Sequence, residues 1–503
     1  MRQLISGALS SVANWIGPAK PPTKSSSGGP RIVRARYDAA QVDNFNERHF
    51  ALSDGLSARQ ANSPGVRERL RNYARYEVAN NCYARGVANT LADVEIGRGA
   101  KVNLPRMIEA SRQQRQAAKT VERMFNEWAE EIDLWGKLWT MRVAKLQDGE
   151  AVAVFRNNPR LEGLVELDLQ LIEAEQLSHG HLHNPLDPNE VDGVLVDDNG
   201  NVLEYYVLRE HPGDGYQYEW DPITVAPQQV VHWFRVDRPG QLRGIPEITP
   251  ALPLFAHLRR FTLATVTAAE SAADVAGVIT SNITPDYDPE DDDEVRDNMN
   301  LLDIHRGMWM ELPDGRQISQ LKAEHPTTTY DGFKRELLGE IGRCLNMPKA
   351  IVLADASDYN YASGRLDRQA FDRHIETAQR QCERHVLRKI WRAWWYEASR
   401  IEGYLPRGAR AYEGMQPRWL WRVLGHVDRQ KEESGRAQAL ENNTTTLAEE
   451  CGRDGLWWED VLEQRAFERE RIAETMPQQI TDNMPTDSAD SDELDRSEID
   501  KNA

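Results

Sequence analysis

Apolar residues recur every three to four positions from about Ser63. The stretch "SPGVRERLRNYARYEVANNCYARGVANTLADVEIG" sets Leu70, Tyr73, Tyr76, Tyr83, Val87 and Leu91 at that spacing and predicts helix. A second helix is expected over 107–131, burying Met107, Ala117, Val121, Met124 and Trp128. Between 150 and 236 the period falls to two. "EAVAVFRNN", "LVELDLQLIE", "GVLVD", "VLEYYVLRE" and "VVHWFRV" read as strands, separated by the turn formers "DDNGN" and "HPGDG". The pattern predicts an α+β fold with a mostly antiparallel sheet.

Helical spacing returns after "RPGQLRGIP", from near Pro246 to about Ala276. Residues 281–327 form a separate insert, with the acidic run "DYDPEDDDEVRD" and an expected hairpin around Asp314-Gly315. The helix "YDGFKRELLGEIGRCLN" must end at Met347, because the residue before a proline is disfavoured in helix. A small polar loop, "LADASDYNYASGR", then leads into the most basic long helix of the chain. Helical from Gly364 to Ala398, that element would be about 50 Å long. Its apolar stripe is Ala370, Phe371, Ile375, Ala378, Cys382, Val386, Ile390 and Trp394, and Arg380, Arg384, Arg388 and Arg392 step by four along a different face. A solvated face paired with Asp367, Asp372, Glu376 and Glu383 is the simplest reading of that basic stripe. Residues 425–475 are again helical. The linker "GPAKPPTKSSSGGP" (17–30) and the acidic tail "MPTDSADSDELDRSEIDKNA" are expected to be flexible and disordered, respectively.

Composition narrows the function. The chain has 503 residues and a formal charge of −19, which opposes tight, nonspecific DNA binding but not a contact that must stay weak. Four scattered cysteines without a CxxC pair argue against a disulfide framework or a zinc ribbon and suit a reducing compartment. No stretch approaches the roughly 20 apolar residues of a membrane span, so no membrane partner is expected. The first 17 residues make a poor secretory signal and read as a weakly amphipathic arm.

No catalytic constellation stands out. The sequence holds no GxxxxGK[ST] loop, no GxGxxG after a strand, and no GxSxG, HExxH or HxE…CxxC pattern. His179, His181 and His183 alternate in a stretch that reads as loop. His374, Cys382 and His385 project from similar sides of the basic helix, but Cys382 belongs to its apolar stripe and favours core packing. The run Asp286, Asp288, Glu290, Asp291, Asp292 and Asp293 lacks the glycine and the terminal glutamate of an EF-hand. A two-metal nuclease would draw carboxylates from several strands, so a solvated acidic loop is the better reading. No cofactor, no metal and no enzymatic activity are expected.

Several of these segments, in this order, resemble the lambda-family portal proteins of tailed bacteriophages. The resemblance is carried by "RERLRNYARYEVANNCYARGVANTLADVEIGRG" (67–99), "LQDGEAVAVFRNNP" (146–159), "LDLQLIEAEQLS" (167–178) and "VVHWFRVDRPGQLRGIPEITPAL" (230–252). It continues through "ELPDGRQISQL" to "FKRELLGEIGRCLNMPKAIVLADASDYNYASGR" (311–365), the most characteristic part, and "GHVDRQKEESGRAQALENNTTTLAEECGRDGLWWED" (425–460). The first 60 residues, the last 30 and the acidic insert 286–297 carry no matching signal.

The resemblance implies a ring of twelve subunits at one capsid vertex, a conduit for DNA during packaging and ejection. It divides the chain into an N-terminal arm (1–60), wing (61–245), stem helix (246–276), clip (277–327), second stem helix (328–345), tunnel loop (346–364), long helix (365–404), crown (405–475) and tail (476–503). It implies channel-facing residues Lys349, Asp355, Asp358, Tyr359, Asn360, Tyr361, Ser363 and Arg365, and clip residues Asp291, Asp292, Asp293, Glu294, Arg306 and Arg316. Within the ring, Arg380, Arg384 and Arg388 would pair with acidic faces of neighbouring subunits. Implied partners are further copies of the chain, double-stranded phage DNA held weakly, the terminase large subunit, major capsid and scaffolding proteins, and head-completion or tail adaptor proteins. The location is the virion, with assembly in the host cytoplasm, where the ring also nucleates the procapsid. An obligate oligomer would account for Trp and Leu positions that look exposed. Two alternatives are another virion structural or adaptor protein, and a metal-dependent nuclease built on the acidic insert.

Overall fold

The computed structural model describes residues 55–105, 111–178, 189–214, 221–274, 278–281, 316–319, 329–357, 360–422, 429–454 and 456–475. The helical stretch after Ser63 is two helices, α1 (Pro64–Asn80) and α2 (Cys82–Glu95). Asn81 divides them: its backbone is extended, and its side chain accepts hydrogen bonds from the amides of Tyr83 and Ala84, capping α2. The inward face of α1 is not the apolar stripe its spacing predicts. Tyr73 and Tyr76 are exposed, whereas Arg67, Arg71, Ala74, Glu77 and Val78 are buried. Ion pairing, not an aromatic stripe, orients this helix.

After β1 (Ala100–Asn103), α3 spans Arg112–Glu131 behind a Ser111–Gln114 capping box. Ala117, Val121 and Trp128 are buried as expected, while position 107 lies outside the described residues. Helix α4 (Leu134–Gln147) had no sequence expectation. Its buried residues include Arg142 and Lys145 beside Leu134, Leu138 and Met141, and this mixture blurs any amphipathic signal.

The five predicted strands between 150 and 236 are present as β2 (Glu150–Asn157), β3 (Leu167–Ile172), β5 (Val194–Val196), β6 (Val202–Val207) and β8 (Val230–Phe234), and two short strands without a sequence expectation, β4 (Glu190–Val191) and β7 (Ile223–Val225), join them. They form two antiparallel sheets, ordered β3-β2-β8 and β4-β5-β6-β7. In the first sheet, alternation assigns each side chain to one of two cores. Val152, Val154 and Val230 face the second sheet. Ala151, Ala153, Val231 and Trp233 face the main core with α3 and α4.

That main core is aromatic. The Phe125 ring lies 5.2 Å from Trp391, 5.3 Å from both Trp128 and Trp394, and 5.8 Å from Trp419, centroid to centroid. Trp128, Trp233, Trp391, Trp394 and Trp395 are all buried within one subunit. These tryptophans therefore do not require the oligomer interface invoked for exposed-looking positions.

Helix α5 (Leu252–Asp274) follows a short 3-10 turn, Thr249–Ala251. Strands β9 (Val278–Ser281) and β10 (Arg316–Ser319) pair antiparallel at the two ends of the insert, whose acidic run and Asp314-Gly315 turn lie outside the described residues. Then come α6 (Thr329–Cys344), a short α7 (Lys349–Leu353) and α8 (Tyr361–Cys382). A π turn, Glu383–Leu387, joins α8 directly to α9 (Arg388–Ala398). A second core gathers α1, α2, α5, α6 and α7 with Phe371 and Ile375 of α8. The chain returns as β11 (Arg418–Trp421), which pairs with β1, and continues through α10 (Arg429–Glu441), α11 (Leu447–Arg453) and α12 (Trp458–Thr475). Among the described residues, no helix is long and apolar enough to cross a membrane.

Candidate functional site

Three features surround the segment that the sequence marks out. The first is a buried ion network where β2, α1 and the "LRGIP" loop meet. Arg243, 1% exposed, donates through Nη2 to Glu150 at 2.6 Å and to the carbonyl of Ala174 at 2.9 Å. Its Nη1 donates to the carbonyl of Leu177 at 2.8 Å, and its Nε to Glu150 at 2.9 Å. His232 Nε2 lies 3.0 Å from Glu150, and the amide of Gly244 donates to the same carboxylate at 3.0 Å. Burial works to raise the Glu150 carboxyl, but Arg243 and His232 hold it well below its ordinary range. From α1, Arg67 reaches Asp192, Arg71 reaches Glu175 at 3.0 Å, and Arg75 reaches Asp148 at 2.6 Å.

Glycine makes the junction possible. A Cβ on Gly244 would lie 2.0 Å from the Gly149 carbonyl oxygen, and a Cβ on Gly149 (φ +91°) would lie 2.5 Å from the Ile245 backbone. A second cluster continues the network: Arg142 pairs with Glu95 and, at 3.0 Å, with Glu247, which Lys145 also meets at 3.2 Å. Burial opposes ionisation of Glu247, yet Arg142 and Lys145 bring its pKa down to about 2. Nearby, Glu173, Glu175 and His211 converge closely enough to hold a cation. Arg75, however, occupies both carboxylates, at 3.0 and 2.8 Å, so a guanidinium already supplies the positive charge.

The second feature is the loop between α7 and α8. Ala354 adopts a left-handed conformation (φ 52°) and ends α7. Asp355 accepts from the amide of Ser357 at 3.0 Å and from Arg335 Nη2 at 3.0 Å, contacts that hold its carboxyl below the ordinary range. Asn360 caps α8 by accepting from the amide of Ser363 at 2.9 Å. Lys349 pairs with Glu336 at 2.6 Å. The expected helix start at 365 is corrected to Tyr361 by that cap, and Lys349 to Leu353 is helix rather than loop. Arg365 is exposed in the second turn of α8. Asp358 and Tyr359 lie outside the described residues, as do Asp291, Asp292, Asp293, Glu294 and Arg306. Arg316 opens β10, opposite Ser281.

The third feature is a groove of about 690 Å³ between the end of β8, the π turn and the approach to β11. Arg380, Arg384, His385 and Arg388 line it from the helix, Phe234 and Arg235 from β8 and its end, and Gln416 and Trp419 from the other wall. Three bonds fix these walls. Lys389 Nζ donates to the carbonyl of Val230 at 2.8 Å, Trp421 Nε1 to Glu383 at 2.7 Å, and Trp391 Nε1 to the carbonyl of Met415 at 3.1 Å. Among the described residues, Arg380, Arg384 and Arg388 form no salt bridge and all three are exposed. The pairing expected along the basic face reduces to Arg368 with Asp372 at 3.7 Å. Cys382 packs in the aromatic core, away from any ligand role with His374 and His385.

A family model described as phage portal protein, lambda family, matches residues 53–379. The chain belongs to that family. It is therefore a component of the phage head-to-tail connector, a structural rather than an enzymatic class. A probable portal protein of Halomonas phage phiHAP-1 is 25% identical over 417 residues, covering 79% of each chain. Solved structures similar to this chain include the neck of an empty gene transfer agent particle, at 13% identity and a TM-score of 0.41 over 76% of this chain and 93% of that one. An HK97-family phage portal protein from Corynebacterium diphtheriae is 14% identical, with a TM-score of 0.26 over 58% of this chain and 82% of its own.

On this portal chain, the structure brings Arg380, Arg384 and Arg388 together on one groove and ties Lys349, Asp355 and Asn360 into local bonds. Sequence reading missed the network of Arg67, Arg71, Glu150 and Arg243. Its one available signal was the regular step of Arg67, Arg71 and Arg75 on α1, which mimics a solvated face.

Proposed function

We propose that the chain assembles as a twelve-subunit ring and serves as the passage for DNA into and out of the capsid. Membership of the portal family over residues 53–379 carries this reading. In it, residues 61–245 form the wing, α5 and α6 the stem, 277–327 the clip, and the segment around 346–364 the tunnel loop. The crown spans 405–475, which includes β11 and α10 to α12. The clip faces the terminase and later the head-completion or tail adaptor proteins. Capsid and scaffolding proteins surround the wing as the ring nucleates the procapsid.

The charge agrees with this role. Each copy brings −19, so DNA can slide past without being gripped. The sequence has no P-loop, and a separate terminase supplies the work of packaging. Tyr359, Asn360 and Ser363 offer short polar and aromatic contacts to a moving backbone. Arg380, Arg384 and Arg388 meet carboxylates supplied by the assembly.

Removal of residues 355–359, which spares the Asn360 cap of α8, tests the conduit. Rings should form normally while DNA packaged or retained per particle falls to background. Normal packaging by such rings would contradict the assignment of this loop to the channel.

A further inference from the structure

We infer that the arginine-lined groove holds the acidic C-terminal segment 482–500 of a neighbouring copy of the chain. This rests on the reading that the three arginines meet carboxylates, and names their source. In an α-helix a step of four residues overshoots a full turn by about 40°, so Arg380, Arg384 and Arg388 would spiral away from one another. The π turn at Glu383–Leu387 takes more residues per turn and reverses that drift. The three guanidinium groups are thus kept on the groove side, about 6 Å apart along the axis.

An extended segment places alternate side chains roughly 6.6 Å apart, a close match to that step. Residues 482–500 contain eight carboxylates and one arginine, and Asp490 and Asp492 stand at the alternate spacing. Phe234 and Trp419 on the facing walls supply apolar surface for Leu494, which follows Asp492 by two. The tether is long enough. Helix α11 packs on β11, where a Cβ on Gly452 would meet the Leu420 side chain, and α12 ends at Thr475. The residues beyond it can span up to about 90 Å when extended. Tethering within the ring also explains why weak, exposed pairs suffice, since a linked segment acts at high effective concentration. Free DNA has no such advantage and meets a chain of net charge −19.

Incorporation of the photocrosslinker p-benzoylphenylalanine at Gln381, which lines the groove without being one of the three cations, tests the proposal in the full-length protein. Illumination and peptide mass spectrometry should recover cross-links to residues 482–500. These should be lost when Asp490, Asp492, Glu493 and Asp495 are replaced by Asn, Asn, Gln and Asn. Cross-links only to the insert 286–297, only to added duplex DNA, or to nothing would overturn it. Native mass measured on the same samples separates this outcome from the function reading: intact rings without the cross-link sink only the tail assignment.

Discussion

Arg243 is the residue on which the most contacts converge. It joins β2, the turn after β3, and the loop that delivers α5, and it does so in a site without water access to its guanidinium. Arg243→Ala leaves Glu150 buried without its main counter-charge, and should cost about 3–5 kcal/mol of stability, read as a fall in the denaturant midpoint. Glu247 gives the network an acid limit. Its folded pKa of about 2 lies below the unfolded value of 4.5, so its contribution is complete above pH 4.5 and is lost as the pH falls toward 2. That contribution is roughly 3 kcal/mol. Stability followed between pH 5 and 2 should fall more steeply in the natural protein than in Glu247→Gln, and equal slopes would contradict the assignment. Neither residue was legible as structural from the sequence. Glu150 and Arg243 are 93 positions apart, and a charged residue flanking a strand or a turn reads as surface until the fold supplies its partner.

At the scale of elements, five of the strands of 150–236 were readable because they are short runs rich in β-branched and aromatic residues set off by turn formers such as "DDNGN", where Asp197 accepts from the amides of Asn199 and Asn201. Helix α4 was not readable because Arg142 and Lys145 interrupt its apolar side while being buried themselves. The loop before α8 is shorter than its polar composition suggests, since Asn360 starts the helix with a cap that resembles ordinary loop sequence. The groove was half legible. The arginine stripe is plain in sequence, but the π turn that aligns it, and the bonds of Lys389 and Trp421 beside that turn, are features only of the fold. The crossing of "DGE" with "RGIP" gives a further test. Gly244→Ala must push apart two backbones and should cost about 1–3 kcal/mol or more, seen as a lower melting temperature. An unchanged melting temperature would mean the crossing has room to open.

For the whole molecule, the sequence order of weak motifs carried the family, and the aromatic core corrected one inference drawn from it. Trp391, Trp394 and Trp395 serve the interior of one subunit, so the proposed ring must rest on other surfaces. Among the described residues, exposed apolar side chains on several elements, including Leu462, Phe467 and Ile472 of α12, Leu263 and Val266 of α5 and Tyr73 and Tyr76 of α1, are available to it beside the three groove arginines. The proposed function requires a closed ring around a channel. Negative-stain imaging of the purified natural protein beside the Arg380→Glu, Arg384→Glu, Arg388→Glu variant addresses it most directly. Twelve-fold rings with a central hole are expected for the natural protein, and loss of rings for the variant. A natural protein that stays a monomer or forms open filaments would contradict it, and rings that survive the charge reversal would remove the arginines from assembly.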